Sequence, residues 1–172
     1  MRIIWTFPFL LFLIVTADGA PNFKSASTNK KGLYLVDGVF QGGRTLIEGT
    51  SLLNIRRHYY PKQKTERLVF DMGDFFGRPL LNRVGHFYVK INKHRRSINI
   101  EFTDLKKLNM SKDKLLRVVA QSPLINDFTY SFDPLDHSFV LVLKMKENVA
   151  VEAFQLPSAQ KASRIVLDIK VL

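Results

Sequence analysis

The chain has 172 residues, 26 Lys and Arg against 15 Asp and Glu for a formal net charge of +11, and no cysteine. Without cysteine it has no lipoprotein anchor, disulfide staple, thiol nucleophile or thiolate metal site. So basic a chain points to anionic partners, whose long-range attraction such a charge balance supplies.

The N-terminus carries Arg2, an apolar run from Ile3 to Val15 broken by Pro8, and a small-residue exit at Thr16–Ala20. This is the layout of a secretory signal peptide. A membrane-crossing helix needs roughly 20 apolar residues, more than this run supplies. The expected signal covers residues 1–19, with Ala17 at the minus-three position of a cut after Gly19, and leaves no transmembrane span behind it. Arg2 and Asp18 leave together, so the basicity belongs to the mature chain, and so does the loss of the only tryptophan, Trp5. Export without disulfides fits the bacterial periplasm better than eukaryotic secretion.

Residues 20–32 are polar and patternless, as in a flexible leader, and residues 33–172 are expected to form one β domain. Leu33 to Phe40 reads as strand-like around the turn pair Asp37-Gly38, and Gly42-Gly43 breaks the run before Thr45 to Ile47. Gly42-Gly43-Arg44-Thr45 lacks the lysine and spacing of a phosphate loop and reads as a plain turn. Leu52 to Tyr60 and Arg67 to Met72 are the next strands, with Leu68, Phe70 and Met72 on one face of the second and Arg67, Val69 and Asp71 on the other. Phe87 to Ile91 and Ser97 to Phe102 alternate cleanly across the basic turn Asn92–Arg96 and predict a hairpin. Ser111 is placed to cap a short helix over 112–120, halted by Pro123. Ile125 to Phe132, Phe139 to Leu143, Val149 to Leu156 and Arg164 to Val171 complete the strands, with the doubly apolar Phe139 strand placed centrally and a bulge expected near Ala153.

Arg67-Leu-Val-Phe-Asp71 and Arg164-Ile-Val-Leu-Asp168 repeat one strand signature, and the two halves run through strands, Pro-containing turns and aromatic strands in the same order. The expectation is an all-β fold: a sandwich of two related antiparallel sheets built from an internal repeat, about eight strands and one short helix.

The stretch Glu147-Asn-Val-Ala-Val-Glu-Ala-Phe-Gln-Leu-Pro157, followed by a polar loop and Ser163-Arg-Ile-Val-Leu-Asp-Ile169, resembles the closing strand pair of AMIN domains. Arg67 to Asp71 resembles the opening strand of that family, and Arg96 to Phe102 holds the place of its first Arg-led return strand, with Asn99 at a usually apolar position and Glu101 in place of Asp. AMIN domains bind peptidoglycan in the periplasm and localise the amidases or pilus secretins that carry them. The resemblance implies a stand-alone, cell-wall-associated module that binds glycan strands and stem peptides, or an envelope protein complex, without catalysis or cofactor.

At ~3.3 Å per residue Arg67 and Asp71 lie too far apart on one strand to pair. Two readings stay open for the repeated charges. Either Arg67 pairs with Asp168 and Arg164 with Asp71 across strands, or the arginines take ligand carboxylates, which a planar guanidinium fork matches. Lys93, Arg95 and Arg96 in the hairpin turn, with Arg56 and Arg57 before the Arg67 strand, offer charge for an anionic polymer or are simply solvated, and Tyr88 offers a flat surface for a sugar ring or packs as a sheet former. His58, His86, His94 and His137 show no metal-like spacing, and Asp136-His137-Ser138 are consecutive where a triad is assembled across a fold, so neither a metal nor an enzyme is expected. No RNA-binding signature is present and export argues against nucleic acid. N-terminal sequencing of the exported protein is expected to start at Ala20, and an uncleaved Met1 would reject the signal-peptide reading.

Overall fold

The computed structural model describes residues 22–133 and 135–172, so the expected signal peptide lies outside the described residues. Among the described residues eleven strands and one α-helix follow in order, with a 3-10 turn at Pro61–Gln63 between the third and fourth strands: β1 (Phe23–Ser25), β2 (Gly38–Gly42), β3 (Thr50–Tyr60), β4 (Thr65–Asp74), β5 (Phe87–Asn92), β6 (Ser97–Phe102), β7 (Leu105–Leu108), α1 (Lys112–Ala120), β8 (Ile125–Asp133), β9 (Ser138–Met145), β10 (Val149–Leu156) and β11 (Arg164–Val171). Period-two alternation decides how they stack. Leu68, Phe70 and Met72 on β4, Ile165, Leu167 and Ile169 on β11, and Ile98, Ile100 and Phe102 on β6 are all buried in one hydrophobic cluster. Phe70 of one sheet meets Phe102 of the other edge to face at 5.3 Å.

Sheet A runs β1-β2-β5-β6-β9-β8 and sheet B runs β10-β11-β4-β3-β7. Replacing β3, β4, β5 and β6 by β8, β9, β10 and β11, and the reverse, turns the order β5-β6-β9-β8 of sheet A into β10-β11-β4-β3 of sheet B. Each half of the chain thus gives one hairpin to each sheet. The two Arg-x-x-x-Asp pentapeptides are not equivalent under this exchange. They lie on adjacent strands β4 and β11, antiparallel, with Arg164 opposite Asp71 and Asp168 opposite Arg67.

Several details depart from the expected pattern. Sheets expected to be wholly antiparallel each gain one parallel edge strand, β1 on β2 and β7 on β3. Thr45 to Ile47 forms no strand, and the run expected from Leu33 becomes regular only at Gly38. The expected bulge at Ala153 is absent, and β10 pairs β11 without a shift from Val149 to Leu156. Its double-sided apolar pattern has another cause. The leader expected over 20–32 is in part paired: after β1 the chain crosses to sheet B, where Gln155 N donates to Ser27 O at 2.8 Å and Leu35 and Val151 exchange both backbone bonds at 2.8 Å. This strap covers the outer edge of β10, which would otherwise template strand pairing with another chain. The register shifts lie elsewhere, between Leu52 and Asn54 on β3, between Ile125 and Asp127 on β8, and between Thr50 and Ser51 where β3 pairs β7.

The helix closes the opposite side. Ser111 Oγ accepts from Lys114 N at 3.3 Å, Asp113 sits in the first turn where the helix dipole favours a negative charge, and Leu115 and Val119 are buried among β3 and β8. Below it, the fully buried Glu66 of β4 accepts from Arg57 Nη1 at 3.2 Å and from Ser122 Oγ, whose oxygen in turn accepts Leu124 N and Ile125 N at 3.1 Å. One carboxylate therefore links sheet B to the first residue of β8 in sheet A. Glu66→Ala is expected to destabilise the fold by about 3–4 kcal/mol, because the inward guanidinium of Arg57 loses its counter-ion, and a denaturant melt checks it.

Candidate functional site

On the outer face of sheet B the registers line up three rows across β3, β4, β11 and β10. They are His58, Arg67, Asp168 and Glu152; then Arg56, Val69, Val166 and Phe154; then Asn54, Asp71, Arg164 and Leu156. The first row is tied together by ion pairs and by the strap. Arg67 Nε and Nη2 donate to the Asp168 carboxylate at 2.6 and 2.8 Å, Lys30 of the strap donates to the same carboxylate, and Arg67 lies 5.8 Å from the Phe154 ring centroid. Glu152 Oε1 accepts Lys31 N at 2.7 Å and Leu33 N at 3.2 Å, while its Oε2 is buried without a hydrogen-bond partner among the described residues. Asp168 is 1% exposed. Burial alone would raise its pKa, but the bonds from Arg67 and then Lys30 outweigh it and hold the carboxyl below its ordinary 3.8. The cross-strand reading of Arg67 and Asp168 thus describes what the fold makes of them.

The third row is open. Asp71 turns from its register partner Arg164 to the diagonal Arg56, whose Nε and Nη2 donate to it at 2.9 and 2.6 Å. The Arg164–Asp71 pair expected from the repeat does not form. Among the described residues Arg164 Nε is left buried without a hydrogen-bond partner, and so is Asn54 Oδ1. Both side chains line an open hollow of about 400 Å³, together with Arg56, Asp71 and Lys161. A buried donor or acceptor left unpaired costs about 1–3 kcal/mol. Here the two side chains that carry them, one with a donor and one with an acceptor, line the same hollow. A group that offers both an acceptor and a donor suits the pair.

The remaining candidates do not join this site. Arg57 alternates with Arg56, so it points inward to Glu66. Tyr88 is half-buried on the outer face of sheet A, in register with Gln41 and Glu101, its ring 4.7 Å from that of His86. Lys93, Arg95 and Arg96 are exposed in the β5–β6 turn at one end of sheet A. Asn54 and Lys161 were not legible as site residues. Asn54 owes its outward position to the β3 bulge, and Lys161 lies in a polar loop whose only signal is its nearness to Arg164.

No protein-family model matches the chain, and no curated protein matches it. Among the described residues no three His, Asp or Glu side chains converge as a metal site, and no helix is long and apolar enough to cross a membrane.

Arg67→Ala is expected to cost roughly 2–3 kcal/mol, since it strips a buried carboxylate of two charged hydrogen bonds and leaves it Lys30 alone. Because the Asp168 pKa is depressed on folding, the stability it contributes is complete above its ordinary 3.8 and is lost as pH falls through the lower folded value. Thermal melts from pH 6 to pH 2 should show an acid loss of stability in the parent that Asp168→Asn flattens.

Proposed function

We propose that this chain is a non-catalytic peptidoglycan-binding module that works in the periplasm as a targeting or accessory unit, and that it binds stem peptides at the Arg164 hollow. The observation that carries this reading is that Arg164 and Asn54, whose Nε and Oδ1 are buried atoms of opposite sense without a hydrogen-bond partner among the described residues, line one hollow. Stem peptides end in carboxylates and run through amides. Arg164 and the exposed Lys161 suit the carboxylate, and Asn54 suits an amide N–H or an amine. Arg56 holds Asp71 in place and keeps its charge from claiming Arg164. The export signal and the strand motifs that resemble AMIN domains support the same reading from independent parts of the sequence.

The test is co-sedimentation of residues 20–172 with isolated peptidoglycan sacculi across a series of salt concentrations. Binding should survive moderate salt, because a shaped site depends less on screened charge than a diffuse basic surface does. Arg164→Gln should weaken it by roughly 10- to 100-fold, the loss of one to two charged hydrogen bonds, while Lys90→Ala on the outer face of sheet A leaves it unchanged. Pelleting that Arg164→Gln leaves intact, or that modest salt abolishes, rejects the site. A chain that never pellets would instead be an adaptor for another envelope protein or a binder of anionic envelope polymers.

A further inference from the structure

The β6–β9 pairing repeats the β4–β11 pairing residue for residue. Met145 N donates to Arg96 O at 2.8 Å as Met72 N donates to Ser163 O at 2.9 Å. On the neighbouring strand the bulged residue is Asn126 in one sheet and Leu53 in the other, followed by Asp127 opposite Lys144 and Asn54 opposite Asp71. The internal exchange therefore maps the Arg164 hollow onto a second place, at the end of sheet A. There the structure has another open hollow, of about 430 Å³, lined by Arg95, Arg96, Asn126, Asp127, Lys144 and Lys146. The frame is the same and the chemistry is different.

At the position of Asp71, which takes up Arg56 in sheet B, sheet A carries Lys144. The side chains of this second hollow set four cations against one carboxylate, that of Asp127, whose Oδ1 accepts Phe128 N at 2.8 Å. Among the described residues none of the ion pairs includes Arg95, Arg96, Lys144 or Lys146. Two of the cations are nevertheless held. Arg96 Nη1 donates to Lys146 O at 3.1 Å and Lys146 Nζ donates to Pro123 O at 3.0 Å. A neutral carbonyl fixes a cation without cancelling its charge, so the hollow keeps both position and potential. The turn is fixed as well, by Arg95 N to Asn92 Oδ1 at 2.8 Å and Arg96 N to Lys93 O at 3.2 Å.

Among the described residues no buried acceptor is left unpaired at this hollow, in contrast to Asn54 at the first. With four cations set against one carboxylate, a ligand here needs acceptors and several negative charges. We infer that the end of sheet A is a second binding site, equivalent in position to the Arg164 hollow, and that it takes a phosphate-bearing anion in preference to a single carboxylate. Phosphate supplies up to two charges and three acceptor oxygens in the compass of one group, and a guanidinium fork with flanking ammonium groups matches it. The inference goes beyond the peptidoglycan reading and does not depend on it.

The experiment is a titration of ¹⁵N-labelled residues 20–172 with tripolyphosphate, followed by amide shifts, with acetate as the carboxylate control. Shifts should centre on residues 95–97, 126–127 and 144–146. Lys144→Glu, at an exposed side chain with no hydrogen bond to lose among the described residues, should weaken the affinity about 10-fold, whereas Lys170→Glu, exposed on the other sheet, should not. A second arm adds phosphatidylglycerol vesicles. Vesicle binding sensitive to Lys144→Glu assigns the phosphate to a lipid headgroup, and tripolyphosphate binding without vesicle binding assigns it to a soluble or polymeric phosphate. The inference is overturned if acetate moves the same amides at the same concentration, if shifts scatter over every lysine-bearing surface, or if Lys144→Glu leaves the affinity unchanged.

Discussion

The antiparallel register between β4 and β11 is the constraint on which the rest of the molecule depends. These strands come from different halves of the chain, and their pairing joins two hairpins into sheet B as β6 and β9 join the other two into sheet A. With Leu68 opposite Leu167 and Phe70 opposite Ile165, the inner face is continuously apolar. A slip of one residue would carry those side chains to the outer face and bring Arg67 and Asp168 into the core, at a cost no local compensation could meet. The same register sets both charged ends of the repeated pentapeptide opposite each other on the outer face. Core and surface charges are therefore specified by one choice of pairing.

Identical pairing does not give identical outcomes at the two ends of that ladder. At one end the strap delivers Lys30 to Asp168 and two backbone N–H groups to Glu152, so adjacent carboxylates on neighbouring strands are each supplied with donors. At the other end the described part of the strap supplies no donor, and a competitor on β3 decides. Arg56 stands one row away from Asp71 and reaches it diagonally with two bonds, which leaves Arg164 facing solvent-accessible space with its Nε already desolvated. The strapped end contributes stability through its ion pairs. The open end retains unused hydrogen-bonding capacity on a rigid sheet, the arrangement in which a ligand's binding energy is not spent on ordering the site.

Much of this architecture was legible because it is local. The hairpin from Phe87 to Phe102, the helix behind Ser111 and the inward face of β4 all follow from periodicity and a capping residue within a few positions, and each takes its expected place. What stayed hidden was set by partners far along the chain. β7 is four residues with two lysines, recruited as a strand only because β3 offers an edge, and β1 is three exposed residues recruited by β2. The apolar slip along β10 carried a real signal, but its cause is the covering strap and not a bulge. At the candidate site the types Arg and Asp were visible and their pairing was half visible. The register predicts both cross-strand pairs, and only the third strand reveals that Arg56 outcompetes Arg164 for Asp71.

The internal exchange of the sheets explains why two sites of unlike chemistry can share one scaffold. A bulge turns the start of an edge-side strand outward, the neighbouring central strand ends beside it, and a loop from the adjoining hairpin closes the third side; this happens once in each sheet. The backbone bonds that define the hollow, Met72 to Ser163 and Met145 to Arg96, involve no side chain, so residues around them change without disturbing the frame. Exchanging Asp71 for Lys144 and Asn54 for Asp127 alters which charges are free while leaving the same strands in the same register. In such a scaffold recognition varies independently of folding, because the determinants of stability point inward from strands whose outward residues form the sites.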